Sequence, residues 1–237
     1  MDQAPPERRF ADALAKARAE WAAADAAACA ARAGCELTDA GVLVPLFGRP
    51  HLVSHPRGEV TLAGGEPSGT VASGAAAPPA HFAVAILALH YLLTADGVPP
   101  AGTWIAYREL PDGLFYAPSF AARTEEPLAR AFAGPAPQGT GPSGLDSFRE
   151  AARCMGGEAL TLGDASFRFR ALPRLGIAVL VWAGDDEEPG EARMLFDASA
   201  GHYLPAEDLA GLGGELARRL AAASAGEARA SNGSGRV

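Results

Sequence analysis

Phe10, Leu14, Ala17, Trp21, Ala24 and Ala28 recur at spacings of three and four. That period marks one face of a helix. It predicts a helix over residues 5–33, opened by Pro5 and Pro6 and stopped at Gly34. A stripe so rich in alanine predicts close docking on the body of the protein, with a partner helix as the alternative. The period then changes. Leu37, Val42–Val44, Leu46–Phe47, Leu52–Val53 and Val60–Leu62 are short strand-like runs separated by Gly- and Pro-bearing turns, which predicts a small antiparallel meander. Residues 79–95 are apolar nearly all round, the pattern of a helix buried in the centre of a fold.

Further along, Thr103–Arg108 reads as a strand, 110–113 as a turn and 125–133 as a short helix. Asp146–Met155 fits an amphipathic helix with Ser143 as N-cap. Ala165, Phe167 and Phe169 alternate with Ser166, Arg168 and Arg170, predicting a half-buried strand. Leu175–Trp182 is continuously apolar, hence a central strand, and the tight turn between the two predicts an antiparallel pair. Pro205 opens a helix running to about Ala223, with Glu207 and Asp208 in its first turn, where acids suit the macrodipole. There is no internal repeat and no regular βαβ alternation, so the fold class is α+β. The organisation expected is a docked N-terminal helix over 1–34 and a single domain over 35–224. Flexible loops are expected at 63–80 and 134–144, and a disordered tail at 225–237.

The chain has 237 residues, enough for one sizeable core. Its 49% apolar and 20% charged residues are those of a soluble globular protein. A net charge of −8 argues against nucleic acid or an anionic membrane as the main partner, since both need a basic footprint. Lys16 is the only lysine among many arginines; with abundant Ala, Gly and Pro this reads as a bacterial genome of high GC content. Cys29, Cys35 and Cys154 form neither a disulfide framework nor a C-x-x-C pair, so reduced cytosolic thiols are expected. The polar N-terminus has no secretory pattern, and the apolar run 81–93 falls short of the roughly 20 residues of a membrane span. The expected location is cytoplasmic.

Candidate chemistry gathers late in the chain. Asp185–Glu188 follow the central strand, and Asp197, Glu207 and Asp208 lie around a lone His202. Carboxylates in number suit hard cations, and with a histidine they suit a transition metal. The metal candidates are therefore Asp185, Glu187, Asp197, His202, Glu207 and Asp208; the alternative is a solvated turn plus helix-start acids. His90 lies on the face of Ile86, Leu87 and Leu93, as a ligand, a general base or a hydrogen-bonded core histidine. Tyr91, Tyr107, Arg108, Glu109 and Trp182 complete the ligand-binding candidates, although Arg108 and Glu109 also suit a structural ion pair. His51 and His55 are four apart but in a strand-and-turn context, a weak metal pair. Ser119 and Ser166 lack a G-x-S-x-G elbow, and no nucleotide or P-loop signature occurs.

Two blocks carry a family resemblance: ILALHYLLTADGVPPAGTWIAYRELPDGLFYAPSF at 86–120 and LPRLGIAVLVWAGDDEEPGEARMLFDASAGHYLPAEDL at 172–209. Together, Leu-His-Tyr-Leu-Leu, Trp-x-x-x-Arg-Glu-Leu-Pro-x-Gly, Trp-x-x-Asp-x-Glu, Leu-Phe-Asp and Tyr-Leu-x-x-Glu-Asp resemble the bacterial family catalogued as domain of unknown function 3786, over roughly residues 12–220. The resemblance implies a soluble single-domain protein without an established activity. Some relatives carry an added iron–sulfur-type cysteine segment; this chain has none, its three cysteines being dispersed. Where the family has an aromatic after the acid run, this chain reads Glu187-Glu188-Pro189.

Three functions follow as expectations. The first is a binding or accessory protein holding a small molecule or a metal-containing cofactor in one polar pocket. The second is a metal-assisted hydrolase or lyase, with the acids holding a divalent ion and His90 or His202 as general base. The third is a protein–protein adaptor using the alanine-rich stripe and the two loops.

Overall fold

The long N-terminal helix breaks in two. In the computed structural model, which describes residues 6–63, 79–134, 143–185 and 187–233, α1 spans Pro6–Ala23 and α2 spans Ala26–Ala33. Asp25 makes the break. Its carboxylate accepts from the N–H groups of Ala27 and Ala28 at 3.0 and 3.1 Å, so it caps a second helix rather than continuing the first. Gly34 ends α2 in the left-handed region at φ 67°.

The described contacts divide the chain into two compact units. The first holds the chain to Pro99 with 171–174 and 202–204; the second holds 100–170, 175–201 and the chain from Pro205. Both units draw on distant stretches, which a search for linkers along the sequence does not detect.

In the first unit α1 and α2 accompany a meander of β1 (Glu36–Thr38), β2 (Gly41–Leu46), β3 (Arg49–Val53) and β4 (Val60–Leu62), antiparallel in that order. The β2–β3 turn is Phe47-Gly48 at φ 49° and 74°, a left-handed pair matched to hairpin twist. The nearly all-apolar helix is α3 (Pro79–Thr94), and α1 packs against it. Leu14, Ala17 and Trp21 are 4%, 1% and 0% exposed, so the middle of the stripe is core, while Phe10 at its start is 44% exposed. Trp21 also donates its indole N–H to the Ser54 carbonyl at 2.9 Å.

The second unit begins with β5 (Trp104–Ala106), a 3-10 turn at Tyr107–Glu109, α4 (Gly113–Arg123) and α5 (Glu125–Phe132). It continues through α6 (Gly144–Cys154), β6 (Glu158–Ala159), β7 (Ala165–Leu172), β8 (Leu175–Trp182) and β9 (Glu191–Asp197), and ends in α7 (Ala206–Gly233). The sheet order is β5-β9-β8-β7-β6. The predicted β7–β8 pair is present, joined by a two-residue turn, and Ser143 caps α6 by accepting from the Asp146 N–H. Neither α4 nor β9 was anticipated. In β9, Ala192, Met194 and Phe196 are buried in alternation, a period-2 signal hidden among acids. Helix α7 runs to Gly233. The two expected loops lie mostly outside the described residues, as does Asp186. The fold class is α+β, with helices at both ends. Among the described residues no helix is long and apolar enough to cross a membrane.

Replacing Trp21 by alanine is expected to lower the free energy of unfolding by about 3–5 kcal/mol, read by urea denaturation, because the ring is fully enclosed. A loss below about 1 kcal/mol would mean that α1 is not part of this core.

Candidate functional site

Most of the polar residues singled out in the sequence already have structural partners. In the first unit Tyr91 is fully buried; its hydroxyl donates to the Ala33 carbonyl at 2.7 Å and accepts from the Arg174 N–H at 3.1 Å. Burial pushes that phenol well above its ordinary range. His90 is half-buried on α3. His202 stands at the surface with Nδ1 2.6 Å from the Asp96 carboxylate, the two side chains 50% and 47% exposed. The Val98 N–H first, and His202 second, hold Asp96 below the usual carboxylate range.

The remaining candidates belong to the second unit. Asp197 is 4% exposed and accepts four bonds: from the N–H groups of Ala101, Gly102 and Ser199 at 2.8–2.9 Å and from the Ser199 hydroxyl at 2.6 Å. Burial pushes this carboxyl up, but the combined donors outweigh it and hold the group below its ordinary range. Asp197 is thus the staple that holds the chain before β5 against the end of β9. Asp185 is exposed and accepts from the Glu188 and Glu187 N–H groups at 2.8 and 2.9 Å, folding its own turn; those bonds hold it below the usual range. Glu187 is exposed beside it. Glu109 accepts from the Ala106 N–H at 2.7 Å and so closes the 3-10 turn, while Arg108 is exposed. Trp182 is half-buried at the end of β8. Glu207 and Asp208 occupy the first turn of α7, as the sequence predicted.

An acid–histidine metal cluster is not supported: among the described residues no group of three or more His, Cys, Asp or Glu side chains is placed to hold a metal ion. Nor do His51 and His55 form a pair. His51 is buried on β3, whereas the exposed His55 donates Nε2–H to the Ala24 carbonyl at 3.1 Å and sets its ring edge-on to Trp21. Cys29, Cys35 and Cys154 are not joined in disulfides. Burial pushes the Cys35 thiol up to about 12.

The surface feature that the sequence reading passed over lies at the start of α4. Tyr107 is buried and stacks on Phe120 at 4.1 Å, and its hydroxyl donates to the Ala206 carbonyl at 2.8 Å. That bond fixes the first turn of α7 beside the 3-10 turn. Asp112 then takes the left-handed conformation at φ 59°, which Asp tolerates better than most residues. Gly113 follows with the Tyr107 carbonyl 2.0 Å from where a Cβ would stand, so only glycine fits. The next three residues, Leu114, Phe115 and Tyr116, are 73%, 84% and 46% exposed. Their rings meet edge-to-face, Phe115 on Tyr116 at 5.2 Å. Asp112, Leu114, Phe115 and Tyr116 form one wall of an open groove, and Pro205, Ala206 and Glu207 form the other. Its lining is mainly apolar, with one carboxylate on each wall. The signal was legible: three consecutive large apolar residues cannot all face inward from one helix.

Asp197→Asn is expected to cost about 1–3 kcal/mol at neutral pH, since the amide NH2 that replaces one carboxylate oxygen cannot accept from the Gly102 N–H. The wild-type carboxyl titrates lower when folded than when unfolded, so its contribution is complete above the ordinary carboxylate range. It fades as pH falls through the lower folded value. Denaturation curves against pH should therefore converge for wild type and variant in acid; a gap that stays constant would contradict this role.

Comparison with curated proteins and with solved structures finds no match for this chain. A family model matches residues 25–219, from the cap of α2 to well inside α7, and so takes in both signature blocks, the Asp197 staple and the α4 groove. The chain belongs to the family described as domain of unknown function (DUF3786).

Proposed function

We propose that this chain is a protein–protein adaptor whose docking surface is the exposed apolar start of α4, facing the first turn of α7. The observation that carries this reading is the exposure of Leu114, Phe115 and Tyr116 side by side along an open groove. Scattered apolar residues on a surface need no explanation, but a contiguous group does. Aromatic residues in particular anchor interfaces, because they bury large area at little conformational cost. The exposure is also built in. Gly113 leaves no room for a side chain beneath it, so the turn delivers the trio outward.

The other two expectations draw less support. A small-molecule or cofactor pocket calls for convergent polar groups with spare hydrogen-bonding capacity. Here Tyr91, Tyr107, Asp185 and Asp197 are committed to backbone partners. Metal-assisted chemistry calls for a ligand cluster, and the described residues supply none. The adaptor surface also differs from the one expected. The middle of the α1 stripe, Leu14, Ala17 and Trp21, is core and so is not free to capture a partner.

The groove is too open to enclose a small ligand and suits a side chain or two of a partner protein instead. A photo-crosslinking residue in place of Phe115 is expected to trap one defined protein, which then binds the purified chain. Leu114→Ala/Phe115→Ala should abolish that binding while keeping the unfolding free energy within about 0.5 kcal/mol of wild type. Undiminished binding by the double variant would overturn the proposal.

A further inference from the structure

Resting on the docking reading above, we infer that the α4 groove selects a cationic partner: an exposed segment of another protein with an apolar anchor side chain followed closely by lysine or arginine. Three acceptors surround the apolar trio. Asp112 and Glu207 each put an exposed carboxylate on opposite walls. Neither makes a hydrogen bond or ion pair within the described residues beyond the charge Glu207 places near Tyr107. The third acceptor is the Leu114 carbonyl. Pro118 sits inside α4, four residues on, and has no N–H with which to bond it. Leu114 itself is 73% exposed and lines the groove.

The charge arithmetic favours a cation. Two carboxylates bring two negative charges, and the N-termini of α4 and α7 offset them by about half a charge each. A net charge of about −1 remains beside apolar side chains, and the whole chain carries −8. A second copy of the same face would set Asp112 and Glu207 against like charges, which disfavours self-association through it. An uncharged apolar segment would leave three acceptors facing its rim without donors. A segment with one or two Lys or Arg side chains beside a Leu, Phe or Trp satisfies both demands, with the anchor between Tyr116 and Pro205 and the cation at the carboxylates.

The test is a displayed library of random peptides, selected on the full chain. Selected peptides are expected to combine a large apolar residue with Lys or Arg. They should bind about tenfold more weakly to Asp112→Asn/Glu207→Gln, and to wild type at raised salt, because rim charges are screened. Asn is as tolerant of the left-handed conformation as Asp, so that variant keeps the turn. Leu114→Ala/Phe115→Ala should lose the peptides altogether. Peptides that need Leu114 and Phe115 but ignore the loss of both charges would overturn the cationic selection and leave the docking surface standing. Peptides that bind the apolar double variant as well as wild type, or no enrichment at all, would overturn both. A concentration-dependent dimer in sedimentation, abolished by Phe115→Ala, would assign the face to a second copy and overturn the inference.

Discussion

The second unit is organised around the side chain of Tyr107. Its ring is stacked at 4.1 Å on Phe120 and tilted against Phe196 at 6.0 Å, so it joins α4 to β9. Its hydroxyl reaches the Ala206 carbonyl and ties the start of α7 to the same point. Its own carbonyl lies where a side chain at 113 would stand, and so dictates glycine there. One buried tyrosine thus fixes the two walls of the groove. The stacking contributes about 0.5–1.5 kcal/mol beyond area burial and the hydrogen bond about 1 kcal/mol, small sums that set geometry more than stability. Gly213 completes the arrangement: a Cβ there would meet Met194 and Phe120 within 3 Å, so α7 lies close on both β9 and α4.

The acid-rich stretch after the central strand has a structural explanation. Asp185 folds its own turn by accepting from the two N–H groups that follow. Asp197, at the end of β9, is buried with four donors and closes the sheet edge. Glu207 and Asp208 complement the N-terminus of α7. A buried carboxylate with both oxygens accepting from backbone donors is a structural element, whereas an exposed carboxylate beside apolar side chains is available to a partner. By that criterion Glu207 is the member of the original acid set on which the docking proposal draws, together with Asp112, which lay outside it.

Much of the architecture was readable from periodicity. The meander, the apolar α3, the Ser143 cap and the β7–β8 pair follow from spacing and turn chemistry. The break at Asp25 was missed because one apolar stripe continues across it, although Asp is a strong cap. Strand β9 was missed because its alternation is short and framed by charge. The two-unit division depends on contacts between 171–174, 202–204 and the first 99 residues, which no local pattern encodes. The groove was overlooked for a different reason. Polar residues carry the chemical signal in a sequence, and in the block containing Leu114, Phe115 and Tyr116 those are Arg108 and Glu109. One turn fixed by Tyr107 and Gly113 settles whether three neighbouring apolar residues are core or surface.

The unifying feature of the second unit is one exposed apolar step, Leu114 to Tyr116, with an acid on both sides. Hydroxyl-radical footprinting of Leu114, Phe115 and Tyr116, on the purified chain and inside cells, tests this most directly. Strong labelling of the purified protein with protection in cells is the predicted result. Equal labelling in both settings, or protection in the purified monomer, would contradict a docking surface at the start of α4.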